Sequence, residues 1–206
     1  MHKAGLGVLA LLALGGPTLR AATPAPGVVM ESHDPAALFI VDVGRQFPTV
    51  LAGATTIAEK RRRLTPFISR VVDVPDVARF CLGQYWAKAT PAQRVRYQAL
   101  FLKSLVHIIA ARMATYQGGL GHVVVERPVA GPEGTDVPTL VKGAHTPEVR
   151  VAWVVETDHS PMQVIDVVAE GMSLRLAKRS DFTAYLSRHD GDIDAFLDAL
   201  QRQTDR

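Results

Sequence analysis

The spacing of apolar residues changes period abruptly at the glycine-rich run Gly118-Gly119-Leu120-Gly121. Before it, apolar positions recur as they do on helices; after it, they alternate residue by residue as they do on strands. Toward the C-terminus the helical spacing returns. Helices first, then a meander of strands, then closing helices is an α+β order. With short connections between them, the strands form an antiparallel sheet of about four strands. Curved around a long helix, such a sheet encloses a cone.

Capping signals mark the helices. Asp34-Pro35 supplies an N-cap and a proline in the first turn. The helix it opens runs to about Val50, with Pro48 disturbing its end and Leu38, Val41 and Phe47 marking its inner side. A second helix spans about Thr56–Leu64 and carries Lys60-Arg61-Arg62-Arg63; a separate segment follows Pro66. Asp73 and Pro75 open a helix that continues through Ala89. Thr90-Pro91-Ala92-Gln93 is the clearest start signal, since Thr90 and Gln93 can cap each other's backbone. The helix that follows reaches about Gln117 and is about 40 Å long. Its polar stripe is narrow (Arg96, Lys103, His107, Ala114), so it is covered on more than one side.

Four strands are expected, over His122–Val129, Val137–Lys142, Glu148–Glu156 and Met162–Ala169. In the third, Val149, Val151, Trp153 and Val155 share one face. Ser180-Asp181 starts a further helix, and Asp192 opens the last one after Gly191.

The N-terminus reads as a leader over residues 1–22. His2 and Lys3 are followed by an apolar run of about 11 residues, then Gly15-Gly16-Pro17 and the small pair Ala21-Ala22. That run is too short to span a bilayer, which takes about 20 helical residues. Residues 23–33 form a flexible lead-in, and residues 34–206 a single domain. Formal charge is +3, and Lys3 and Arg20 belong to the leader, so the remaining chain is close to neutral. A nucleic-acid partner is not expected from that balance.

Chemistry-bearing patterns are sparse. The histidines are scattered, and one cysteine, Cys81, excludes a disulfide within the chain and cysteine-based zinc sites. No metal site is expected. The glycine run follows a helix rather than a strand, so it is a turn and not a phosphate loop. Asp166 stands out because Ile165, Val167 and Val168 surround it. It is either a general base in a pocket or an acceptor satisfied by a neighbouring Arg, Tyr or backbone N–H. Lys60–Arg63 reads as a solvated helix face, with anionic lipid or an acidic partner as the alternative.

Three segments carry a resemblance: LGQYWAKATPAQRVRYQALF (82–101), VIDVVAEGMSLRL (164–176) with RSDFTAYL (179–186), and GDIDAFLDAL (191–200). Their order and spacing resemble the MlaC family of periplasmic phospholipid-binding proteins, which includes toluene-tolerance auxiliary and hopanoid-associated members. The resemblance implies a fold like that of the nuclear-transport-factor-2 group, export to the periplasm, no cofactor and no enzymatic activity. It implies that acyl tails of a phospholipid or hopanoid-type lipid are held in an apolar pocket. It also implies transfer between an inner-membrane ABC transporter bearing an MCE-domain subunit and an outer-membrane lipoprotein complex. Gln84 stands where family members often have a basic residue.

A hydrocarbon tail costs about 0.8 kcal/mol per CH₂ to expose to water, so two tails of ~15 carbons cost on the order of 20 kcal/mol. A carrier must offer comparable apolar surface. Tyr97, Phe101, Leu105 and Ile108 on the long helix, with Val151, Trp153, Val155 and Val167 on strands, are the expected pocket lining. The alternative is that these side chains pack against each other. Few convergent charges are visible, so the headgroup is expected to stay in water. An isomerase-like enzyme on the same scaffold would have to use Asp166 with Tyr85 or Tyr97.

Overall fold

The computed structural model describes residues 33–115, 123–141 and 148–205. The expected leader, the lead-in up to residue 32, the glycine run, His122 and Lys142 lie outside the described residues.

Helix α1 (Pro35–Leu51) begins where Asp34 accepts from the Ala36 and Ala37 N–H groups. Its inner side is Ala36, Ala37, Ile40 and Val41; Leu38 is 46% exposed, so its expected inward position is corrected. Helix α2 (Ile57–Val71) opens with a reciprocal Thr56–Glu59 capping box. It runs straight through Pro66, where a break was expected. Pro66 is exposed, so the carbonyl it deprives of a partner can meet water, and Leu64, Phe67, Ile68 and Val71 anchor the helix on both sides.

Helix α3 (Val74–Leu82) ends at Gly83, whose φ of +58° divides it from the short α4 (Tyr85–Lys88). Helix α5 (Pro91–Thr115) starts at the expected box: Gln93 N–H donates to Thr90 Oγ1 and Thr90 N–H to Gln93 Oε1. Helix α6 (Leu174–Arg188) is capped by Ser173, well before the expected start at Ser180-Asp181. Helix α7 (Ile193–Thr204) is capped by Asp192.

The strands are β1 (Val123–Val125), β2 (Val129–Gly131), β3 (Gly134–Val141), β4 (Val149–Glu156), β5 (Gln163–Ala169) and β6 (Met172–Ser173). Among the described residues they form one antiparallel sheet in the order β1-β3-β4-β5-β6, with β2 also on β3. The architecture is therefore α+β with an antiparallel sheet, as the sequence implies, but with six strands rather than about four. Two local causes account for the difference. The expected first strand splits at Glu126–Pro128, opposite Pro138. Pro128 and Pro138 both lack the N–H that would continue the ladder, and Glu126 N–H donates to the Pro138 carbonyl across the gap. The short β6 then turns back on the end of β5 through Glu170-Gly171, both at positive φ.

Two glycines test this geometry. Gly134 has a φ of +151°, and a Cβ there would lie 2.3 Å from the Val155 carbonyl oxygen. Gly134→Ala is expected to destabilise the domain by about 2–3 kcal/mol. Gly44, inside α1, has open space where a Cβ would sit. Gly44→Ala is expected to stabilise by about 0.5–1 kcal/mol, and urea titration reads both.

Candidate functional site

The buried apolar residues fall into two clusters. One joins α3, α5, α6 and α7, with Tyr97, Phe101, Phe182 and Phe196 at its centre and Ile165 from the sheet. The other joins α1, α2 and part of α5 to Val125, Val137, Val155 and Val164. Val72 and Leu102 pack against both. Helix α5 packs most closely on α2, α7 and α3. Its contacts with the sheet run through side chains: Val106 and Ala110 belong to the cluster that holds Val125, Val137, Val155 and Val164, and Phe101 to the one that holds Ile165.

Strand β5 serves both clusters because of a register shift. Val154 pairs with Asp166, but Val155 pairs with Val164, leaving Ile165 without a partner on β4. Directly opposed residues share a face. Val164 and Val167 consequently lie on the face of Val155 and Trp153, while Asp166 lies on that of Val154. Strict alternation cannot put residues three apart on one face; the bulge does. Outside this stretch, β6 pairs only with Val168 and Ala169, and a single bridge ties Val164 to Val72.

At this seam is an apolar cavity of about 110 Å³. Phe101 and Leu105 of α5 face Val164, Ile165 and Val167 of β5 across it, with Val72, Val77 and Cys81 closing one side. Leu174, Arg175 and Lys178 of α6 complete the wall. Leu174 is 41% exposed, so the cavity reaches the surface beside it.

Asp166 holds the seam together. Its carboxylate accepts from its neighbour Val167 N–H at 2.7 Å, from Ser173 Oγ at 2.5 Å and from Arg175 N–H at 3.1 Å. The Arg175 guanidinium lies 3.5 Å from it, pairs with Glu133, and stacks over Phe80 at 4.3 Å. The arrangement is that of a satisfied structural acid. Neither tyrosine of the enzymatic alternative meets Asp166: Tyr97 OH donates to the Ala78 carbonyl, and Tyr85 OH pairs with Ser187.

Of the residues expected to line a pocket, Phe101, Leu105 and Val167 meet at this cavity. Tyr97 and Val155 are fully buried within the two clusters. Trp153 packs against the second cluster and donates from Nε1 to Thr139 Oγ1. Val151 is half-buried on β4, and Ile108 is 37% exposed. The cavity lies one strand further toward the sheet edge than β4. Val72, Val77, Cys81, Val164, Ile165, Leu174, Arg175 and Lys178 were missed. The acid inside the apolar 165–168 run was the available signal.

The fold and the cavity define an α+β domain whose core stays open at a sheet edge. A family model described as MlaC protein matches residues 49–202, most of the chain. The chain belongs to the MlaC family. It is similar to a phospholipid-binding protein from Ralstonia solanacearum, solved in complex with a phospholipid. That likeness has 20% identity and a TM-score of 0.67, covering 82% of this chain and 95% of the other. At such identity the likeness is one of fold. Among the described residues, no helix is long and apolar enough to cross a membrane.

Two measurements probe the seam. Burial pushes the Cys81 thiol up to about 12. At pH 8 the native protein should react with a small thiol reagent at least ~100-fold more slowly than the unfolded chain. The native rate should still climb at pH 10, where an ordinary thiol has levelled off. Asp166→Asn leaves buried Arg175 without its buried acid and is expected to cost about 3 kcal/mol in urea unfolding. Glu133→Gln should cost under ~1 kcal/mol, because that carboxylate is half exposed.

Proposed function

We propose that this protein is a periplasmic lipid carrier that shelters acyl tails between β5 and helices α3, α5 and α6. The observation that carries this reading is the apolar cavity at the seam of a divided core, in a chain of the MlaC family. The phospholipid in the related protein from Ralstonia solanacearum supports phospholipid as cargo; a hopanoid-type lipid is the alternative. On this reading the chain is exported by its leader. It exchanges lipid with the MCE-domain subunit of an inner-membrane ABC transporter and with an outer-membrane lipoprotein complex. The family supports these partners. No enzymatic step is needed, and the engagement of Asp166 with Ser173 and Arg175 argues against its use as a base.

The cavity is smaller than the ~300–1,000 Å³ usual for ligand sites. A full tail therefore enters by parting the two clusters, and its methylenes take up the contacts the clusters release. Each buried CH₂ returns about 0.8 kcal/mol, which offsets the cost of parting them.

Solvent extraction of the purified protein followed by mass spectrometry tests the reading. Lipid at near one mole per mole is expected. Val167→Trp fills the cavity and should lower the lipid content several-fold, while Val129→Trp, on an exposed position of β2, should not. A wild-type extract without lipid, from protein also unable to take up phospholipid from vesicles, would sink the carrier reading.

A further inference from the structure

The surface of the cavity wall is apolar throughout, so its charged residues line it with their carbon atoms. Val72, Val77, Phe101, Leu105, Val164 and Val167 make up its apolar depth, whereas its charged members, Asp166, Arg175 and Lys178, are grouped with α6. The charges in this group are unevenly paired: Asp166 and Glu133 both sit on Arg175, and Lys178 is left unmatched among the described residues. Asp166 is committed to Val167, Ser173 and Arg175. Arg175 is shared between Asp166 and Glu133, yet its buried Nε makes no hydrogen bond. Lys178, half-buried one helical turn beyond Leu174, has no acid within ion-pair distance among the described residues; it rests near the Phe182 ring, 5.8 Å away. Arg179 beside it likewise stacks on an aromatic ring, that of Phe80.

We propose that Lys178, with Arg175 behind it, seats the anionic phosphate of an amphiphile whose tail occupies the cavity. The inference rests on the lipid-binding reading and adds a charge preference to it. The apolar stem of a lysine lies along a hydrocarbon wall while its ammonium reaches the surface, which is where the polar end of a bound amphiphile must emerge. A half-buried cation in a lowered dielectric attracts an anion more strongly than an exposed one does. A neutral amphiphile gains nothing there. The same chemistry would also suit free phosphate, so the test must separate the two sources.

Lauroyl lysophosphatidic acid and monolauroylglycerol share one tail and differ by the phosphate. Each is titrated calorimetrically, below its micelle threshold, into the lipid-stripped mature chain. The wild type should bind the phosphate-bearing compound about 10-fold more tightly, since a charge-assisted contact is added to equal tail burial. Lys178→Gln should bring that ratio to within ~3-fold, and Lys178→Glu should lower it further, with monolauroylglycerol affinity unchanged in both. Arg62→Gln, on an exposed position of α2, should leave the ratio intact. Thermal melts establish that each variant is folded.

Equal affinities in the wild type, or a ratio insensitive to both Lys178 variants, overturn the charge preference and leave the carrier reading standing. If neither amphiphile binds, the charge preference falls, and the extraction and vesicle-uptake measurements decide the carrier reading separately. Inorganic phosphate binding as tightly as the lysolipid, and lost in Lys178→Gln, would make this a free-anion site and overturn the role assigned to the tail.

Discussion

A strand edge must be satisfied without being covered by another strand, and the rest of the molecule is arranged around that requirement. Between Val164 and Val167 the outer edge of β5 has no continuous partner. Unpaired edges recruit other chains, and proteins usually blunt them with a covering element or a charge. Here both devices are present. The first turn of α6 lies along the edge, and Asp166 ties the Val167 and Arg175 amides to one carboxylate. Polar satisfaction is thus concentrated in one buried acid, and the apolar side chains around it are free to stand apart. A third strand-like partner would have zipped the edge shut.

The same arrangement explains why the core comes in two parts. An interior of this size normally closes into one cluster, because every gap forfeits dispersion contacts. Here the aromatic side chains of α5, α6 and α7 satisfy each other: Phe182 and Phe196 lie 4.9 Å apart in an edge-to-face contact, with Tyr97 beside both. The valines of β3, β4 and β5 close instead against α1 and α2. Each cluster is complete enough to stand, and the space left between them is what a bound hydrocarbon would share. Ligand and fold are then linked by mass action: whatever fills the seam stabilises the native state in proportion to its concentration and affinity.

The sequence was most informative where local chemistry decides the outcome. The Thr90–Gln93 box, the Asp34-Pro35 start and the period change after Gly121 all reflect short-range hydrogen bonding and side-chain spacing, so α+β order was legible. The long helix was legible for the same reason, and with it Phe101 and Leu105. Reading failed where a distant contact overrides a local signal. Ser180-Asp181 looks like a helix start, but Ser173 and the Asp166–Arg175 tie begin α6 sooner. Pro66 looks like a stop, but the burial of Leu64, Phe67 and Ile68 carries α2 through it. On the strands, parity gave Val167 and also Val151, Trp153 and Val155, because alternation says nothing about which strand lies at the edge. It could not assign Asp166 a face at all, since the bulge at Ile165 breaks the very periodicity such an assignment needs.

That irregularity decides which parts of the interior β5 serves. With one residue fewer in β5, the strand would fall into regular step with β4 and every second side chain would turn to the same cluster. Asp166 would still oppose Val154 and Val164 would still oppose Val155, but β5 would lose Ile165, its contribution to the aromatic cluster. One extra residue along a single strand is thus what lets β5 reach into both halves of the interior.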